Sequence, residues 1–225
     1  MKRHAFVDVA TQSYITLVAL LVLFFHDGRI PGWPWLLVAH GLGFVLIEGL
    51  IRLAHRFPAN RPLELARSYY AIPLFIAFYR ETEFLNQMFH AGYLDPHFLR
   101  FEQWLFGMQP GLELMPRFPA RWLAELLYGA YFSYYVMIAG VGLALLLRNR
   151  RQFDHFIAVI SFMFYVCYTT YIFLPVVGPR IYYPEFGGPQ LAAADLPAAV
   201  PGFPATVQAG VFYRIMEVIY EHFEG

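Results

Sequence analysis

The chain has 225 residues, of which 59% are hydrophobic, 19% are aromatic and only 14% are charged. Soluble domains carry about 25% charged residues, so this composition excludes a disordered chain and does not fit an ordinary soluble protein. Sixteen basic residues balance sixteen acidic ones, which leaves no net charge to attract nucleic acid. The single cysteine, Cys167, excludes an intrachain disulfide and a thiolate metal cluster. The composition therefore indicates an integral membrane protein.

Apolar segments of roughly 20 residues are long enough to cross a bilayer as helices. We predict an all-α transmembrane bundle with about five spans, because five segments approach that length. In chain order the predicted spans are residues 10–26, 33–53, 68–89, 122–147 and 156–177. The third is the weakest, since it contains Arg80, Glu81 and Glu83, and its apolar part alone suits a shallow or re-entrant helix.

The segments outside these spans are more polar. The start of the chain resembles a signal peptide, but it has no small-residue cleavage site, so we interpret the first span as a retained anchor. The stretch that contains Asp95 and Pro110 predicts short interfacial helices. A loop rich in Pro, Gly and Ala covers residues 176–206, and a helix-like segment follows over residues 207–224. That last segment is too charged for an ordinary lipid-exposed span.

Basic residues predict the orientation, because loops rich in Lys and Arg stay on the cytoplasmic side. Nine of the sixteen lie near the N-terminus, around the end of the second span or in the loop after the fourth span. We therefore predict a cytoplasmic N-terminus. The loop over residues 176–206 would face the periplasm, a lumen or the exterior. This pattern requires the third segment to cross the membrane.

The sequence Pro175-Val-Val-Gly-Pro-Arg180 follows the fifth predicted span. A Pro/Gly turn restricts the backbone, and the guanidinium of Arg180 can hold a phosphate through two parallel hydrogen bonds. The alternative is an interfacial arginine that reaches toward lipid headgroups without a specific site.

Tyrosines recur at helical spacing in the last two spans. Two sets of three each share one helix face: Tyr128, Tyr131 and Tyr135, and Tyr165, Tyr168 and Tyr171. Such rows usually pack one helix against another, and they can alternatively line a pocket for a lipid headgroup. Tyr182 and Tyr183 suit a belt at the membrane interface.

Three segments in order resemble one protein family. They are residues 102–110, which include Leu105-Phe-Gly-Met-Gln-Pro110, the Tyr-rich residues 127–135, and residues 175–180 with Gly178-Pro-Arg180. Together they resemble the branch of the type 2 phosphatidic acid phosphatase superfamily that includes inositol phosphorylceramide synthases. The resemblance covers about residues 69–225 and implies that residues 67–225 form part of a core of six helices. Residues 1–66 would then form an N-terminal region with two spans.

The resemblance implies a reaction on a phospholipid or sphingolipid phosphate, either hydrolysis or transfer of the headgroup. In the family a histidine attacks the phosphate to give a phosphohistidine, a second histidine protonates the leaving oxygen, and no metal or other cofactor takes part. Arg180 matches the phosphate-binding arginine by position. The resemblance and the tyrosine spacing extend the expected headgroup site to Gly178, Pro179, Tyr182, Tyr131 and Tyr135.

The sequence departs from the family in two respects. The Lys-x6-Arg-Pro signature is absent, since Phe173 stands where its lysine would be. The Phe-Pro-Ser-x-His motif is also absent, and residues 203–207 resemble its start but place Val207 at the histidine position. We therefore expect a fragment that lacks both catalytic histidines and is inactive as it stands. His222 could approach an outer site, although an interfacial position suits it better.

The second predicted span contains two ionisable residues, His40 and Glu48. A carboxylate inside a membrane can mark a proton path, but Glu48 can also pair with Arg52 one helical turn later. A transporter or channel, or a membrane scaffold without catalysis, therefore remains an alternative function.

Overall fold

The computed structural model describes residues 4–183 and 204–223, apart from the side chains of Met115, His222 and Phe223. All regular structure in these two ranges is helical. The helices are α1 (Phe6–Phe25), α2 (Trp33–Arg56), α3 (Arg61–Tyr69), α4 (Ala71–Leu85), α5 (Asp95–Phe106), α6 (Pro110–Arg117), α7 (Arg121–Arg148), α8 (Arg150–Phe173), α9 (Ala205–Gln208) and α10 (Val211–Phe223). Residues 179–183 are helical as well. The predicted interfacial helices correspond to α5 and α6.

Four helices, α1, α2, α7 and α8, are long and apolar enough to cross a membrane. Their positions agree with four of the predicted spans to within a few residues. Local sequence explains where they begin: α2, for example, starts after Gly32 in the left-handed conformation, with a proline in its first turn. The prediction of an all-α membrane bundle is confirmed, and the chain is a multi-pass membrane protein.

The predicted third span does not form one continuous helix, so this part of the prediction is corrected. The chain forms α3 and α4 instead, and the two meet at Tyr70. With 15 residues, α4 extends only about 22 Å at a rise of ~1.5 Å per residue. Its polar residues also form pairs, as Arg80 does with Glu83 at 2.9 Å. A purely lipid-exposed helix would not accommodate them.

Residues 69–89, which cover most of the predicted third span, nevertheless run beside α8 in the same direction. Three aromatic pairs mark this register in order along both segments: Tyr69 with Phe153, Phe75 with Phe164, and Phe89 with Phe173, at centroid distances of 5.4, 4.8 and 4.6 Å. Residues 69–89 thus lie alongside residues 153–173 of α8, a helix that is long enough to cross a membrane. The segment covers a comparable length with a shorter helix and a following turn.

Helix α3 and the starts of α1 and α8 lie together at one end of the first helices. Arg67 pairs with Asp8 near the start of α1 at 2.6 Å. Arg150 at the start of α8 pairs with Glu64 of α3 at 3.3 Å and also donates a hydrogen bond to the Ser68 hydroxyl. The loops that the orientation pattern assigned to one side therefore lie together in space.

The chain divides into two compact units that alternate along the sequence. The first unit comprises residues 1–93 and 145–175, and the second comprises residues 94–144 and 176–225. The expected division after residue 66, which rests on the family resemblance, stays a prediction. In the first unit Tyr14 stacks on Tyr165 at 4.9 Å, and both rings are buried with Tyr168 in the core. The interpretation that the tyrosines of α8 pack one helix against another is therefore confirmed for Tyr165 and Tyr168.

Candidate anion-binding site

Arg180 lies just after a sharp change in chain direction. Helix α8 ends at Phe173, residues 175–178 are not helical, and a helical stretch begins at Pro179. Gly178 has a φ of +83°, a conformation that costs other residues about 1–2 kcal/mol. Its carbonyl accepts a hydrogen bond from the Tyr182 N–H at 2.9 Å. Proline suits the first helical position, where no N–H is needed, so the sequence itself places Arg180 in the first turn.

Asp95 holds this turn from the start of α5. One carboxylate oxygen accepts a hydrogen bond from the Val177 N–H at 3.1 Å, and the other accepts from the Gly178 N–H at 2.8 Å. The residue is 2% exposed. Burial raises the pKa of the Asp95 carboxyl, and the two backbone hydrogen bonds oppose that rise. Asp95 was not among the predicted site residues, because nothing in the sequence relates it to a turn so far along the chain.

A second contact joins the turn to α6. A Cβ atom at Gly111 would lie 3.5 Å from the ring of Pro179, so the Pro179 ring packs against the start of α6. Gly111 directly follows the Leu-Phe-Gly-x-x-Pro segment, whose Gln109 is buried and donates a hydrogen bond to the Leu99 carbonyl at 2.9 Å. Two of the three segments that carry the family resemblance therefore adjoin one another.

The guanidinium of Arg180 lies over the ring of Tyr220 of α10, 3.5 Å from its centroid. Arg180 is exposed. Tyr220 also contacts Tyr131 of α7 at 6.5 Å between centroids, and Tyr131 contacts Tyr135 at 6.2 Å. We call Arg180, Tyr220, Tyr131 and Tyr135 the arginine–tyrosine cluster. Three of its members were predicted from the sequence as site residues, whereas Tyr220 was not.

Glu217 of α10 lies close to two further tyrosines of this unit, Tyr128 and Tyr213. Tyr128 packs edge to face against Tyr213 at 5.4 Å, and both Arg180 and Glu217 are close enough to Tyr128 to act on it electrostatically. The Tyr213 hydroxyl lies 3.5 Å from Glu217. Burial raises the pKa of Tyr213, and Glu217 raises it further. The surface around Arg180 therefore combines one cation, one anion and several phenol groups.

Glu125 and Gly129 of α7 position α10. The Glu125 carboxylate accepts a hydrogen bond from the Phe212 N–H at 3.0 Å, at the positive end of α10. A Cβ at Gly210 would overlap that carboxylate, and a Cβ at Gly129 would lie 3.1 Å from the Phe212 ring. These contacts fix the start of α10 against α7. They explain why an otherwise apolar helix carries Glu125, a role that the sequence did not reveal.

Tyr182 occupies a different environment from Arg180. Tyr182 is 1% exposed, and Tyr183 is also buried. The expectation that both tyrosines belong to an exposed interfacial belt is therefore wrong. Burial raises the pKa of Tyr182, and the nearby Asp95 adds to the rise. The side chain of Tyr182 is thus buried, and the proposal that it contacts a headgroup stays a prediction.

Other expected features fall partly outside the described residues. Most of the loop over residues 176–206, including Phe203 of the motif-like residues 203–207, lies there, and so does the side chain of His222. Within the residues that are described, no three His, Cys, Asp or Glu side chains come together in a group that could hold a metal ion.

The first unit contains a separate pair of buried polar residues. Glu48 pairs with Arg52 at 2.6 Å, which confirms the structural interpretation of Glu48. His40 instead lies with Nε2 3.3 Å from Glu81 Oε1, and both side chains are less than a tenth exposed. The His40 Nδ1 lies 2.8 Å from the Leu36 carbonyl, which can only accept, so Nδ1 carries a proton. The contact between His40 and Glu81 joins α2 to α4.

No protein-family model, curated protein or solved structure matches this chain.

Proposed function

We propose that this chain forms the phosphate-binding part of a membrane lipid-phosphate phosphatase or phosphotransferase. The reaction would pass through a phosphohistidine, as the family resemblance implies. The observation that carries the proposal is the position of Arg180, which is exposed and stacked on Tyr220 at 3.5 Å beside Tyr131.

This geometry suits a phosphate for a physical reason. The face of the guanidinium contacts the ring, whereas the N–H groups that bind oxyanions lie in the guanidinium plane. Phosphoryl transfer depends mainly on positioning and on stabilising charge on the phosphoryl oxygens. A guanidinium whose direction is set by a stacked ring is well suited to that role. Tyrosine hydroxyls nearby supply further hydrogen bonds to a headgroup.

We also propose that Arg180 acts on the non-cytoplasmic side. The basic segments gather at the end of the first unit where α8 begins, and Arg180 follows the opposite end of α8 after a few residues. By the positive-inside rule, the basic end is cytoplasmic. Accessibility of a cysteine introduced at Arg148, and of another at Leu174, to an impermeant thiol reagent in sealed vesicles tests this orientation.

Binding of the protein to vesicles of phosphatidic acid in phosphatidylcholine tests the site. Arg180→Ala should lower the preference for phosphatidic acid about tenfold or more, the loss expected for a charge-assisted pair. Arg180→Lys should restore only part of it, since an ammonium does not reproduce two parallel hydrogen bonds. Arg214→Ala is the matched control, because Arg214 is an exposed arginine of the same unit on α10. Equal losses from both variants would point to surface charge alone.

Two substitutions of Tyr220 test whether lipid binding depends on the ring that stacks on the Arg180 guanidinium. Tyr220→Phe keeps the ring beneath the guanidinium and should retain binding, whereas Tyr220→Leu removes the ring and should weaken it. Arg180→Ala should also sharply reduce phosphate release from lipid without lowering expression. Unchanged turnover of purified Arg180→Ala would refute the proposed role.

A transporter remains the second candidate, and the buried His40–Glu81 pair is the observation that favours it. An ionisable pair inside a membrane bundle commonly marks a path for protons or ions. Flux of protons or solute in proteoliposomes, lost in Glu81→Gln, with no phosphate released from lipid, would favour this function over the first.

A further inference from the structure

We propose that the first unit binds an anionic phospholipid in a groove along the start of α8, independently of Arg180. The groove has a volume of about 950 Å³. Its polar end is formed by Arg151, Gln152 and His155, and its apolar walls include Phe156, Val159 and Ile160. Nothing in the proposed function requires this groove.

The lining changes from polar to apolar along the helix axis. The i, i+4 spacing of an α-helix places its lining residues in two adjacent rows on one face: Arg151, His155 and Val159 in one row, and Gln152, Phe156 and Ile160 in the other. From Arg151 to Ile160 the helix rises about 14 Å. Because α8 is long and apolar enough to cross a membrane, the polar residues at its first turns would lie near the headgroups. The apolar rows would then lie alongside acyl chains.

The charge at the polar end favours an anion. Arg150, the preceding residue, is neutralised by Asp154 at 3.1 Å and by Glu64 at 3.3 Å. Arg151 has no carboxylate partner within the described parts of the chain. The helix is capped by Asn149, whose side chain accepts a hydrogen bond from the Gln152 N–H at 3.2 Å, so the first turn is held in place. Arg151 therefore contributes an uncompensated positive charge at the mouth of the groove.

These features together identify the occupant as a phospholipid. Basic sites between transmembrane helices recognise anionic headgroups by charge. A free phosphate would satisfy Arg151 but would leave the wall of Phe156, Val159 and Ile160 uncovered. An anionic phospholipid supplies both a phosphate for Arg151 and an acyl chain for that wall.

The test measures lipid preference of the full chain reconstituted in nanodiscs that contain phosphatidylglycerol and phosphatidylcholine. Arg151→Gln should lower the preference for phosphatidylglycerol about fivefold, since one basic residue near the surface supplies about that factor. Arg148→Gln is the matched control, because it removes the same charge three residues away, at the end of α7, from a residue that does not line the groove. An equal loss in both variants would overturn the proposal in favour of general surface charge.

A second variant tests the apolar half. Val159→Trp should fill the groove and displace phosphatidylglycerol while Arg151 remains in place. Competition by inorganic phosphate at the concentration that saturates the site would indicate a soluble-anion site and would overturn the lipid assignment. The fivefold loss caused by Arg151→Gln should be the same in the Arg180→Ala background as in the unchanged chain, so that failure here is distinct from failure of the proposed function.

Discussion

Asp95 accepts a hydrogen bond from the backbone N–H of Gly178 at 2.8 Å, although the two residues are 83 positions apart in the chain. With the neighbouring bond from Val177, this contact uses both oxygens of one buried carboxylate to hold the turn that precedes Arg180. The direction of the arginine thus depends on a residue of another helix.

Asp95→Asn should change how stability depends on pH. The folded-state pKa of Asp95 is raised, so its contribution to stability is fully present below the ordinary carboxyl pKa. That contribution is lost as the pH rises from about 4 through the folded-state pKa. An asparagine cannot ionise, and it loses one accepted hydrogen bond at about 0.5–1.5 kcal/mol at every pH. Thermal unfolding in detergent across a pH series, followed by tryptophan fluorescence, measures the difference. Parallel pH curves for both proteins would contradict the assignment.

Gly178→Ala should destabilise the turn by about 1–2 kcal/mol, because its φ of +83° is unfavourable for any residue with a Cβ. Binding to phosphatidic acid should fall at the same time, since Arg180 loses its fixed starting direction. Gly140→Ala is the control: Gly140 lies within α7, and a Cβ there meets nothing within 4 Å. That change should be neutral or stabilising by up to about 1 kcal/mol. Melting temperature and lipid binding of the two variants give the comparison.

Glu125→Gln should loosen the start of α10. The carboxylate accepts from the Phe212 N–H at 3.0 Å, and replacing its charge by a neutral amide weakens the interaction with the positive end of the helix by about 0.3–1 kcal/mol. Faster proteolysis or hydrogen exchange within α10 would report this change. Glu113→Gln serves as the comparison, since Glu113 pairs with Arg117 on α6. Protection of α10 that is equal in both variants would rule out the capping role.

Removing one partner of the buried His40–Glu81 pair should be costly. Each side chain is less than a tenth exposed, so Glu81→Ala or His40→Ala leaves an unpaired buried polar group at about 3–5 kcal/mol. The exposed pair of Arg80 and Glu83 provides the reference, because these side chains are 40% and 47% exposed and such pairs contribute about 0.2–1 kcal/mol. Denaturation midpoints of the single and double variants, arranged as a mutant cycle, measure the coupling. A coupling energy between His40 and Glu81 no larger than that of the exposed pair would contradict this prediction.

The candidate site was only partly predictable from the sequence. Gly178, Pro179 and Arg180 were recognisable because a glycine and a proline at these positions have local conformational consequences. Tyr131 and Tyr135 were recognisable because their spacing places them on one helix face. Tyr220 was not, since the segment that carries it had no pattern that relates it to Arg180.

The sequence by itself determined the membrane class and four of the helices, because the length and apolarity of a span are local properties of the chain. It also indicated the turn at Gly178, for the same local reason. Only the tertiary structure decided the pairing of Asp95 with Gly178, of Glu125 with Phe212 and of His40 with Glu81. Each of these contacts joins residues that are far apart in the sequence, and their meeting depends on how whole helices pack. The structure also divided the predicted third span at Tyr70, where α3 ends and α4 begins.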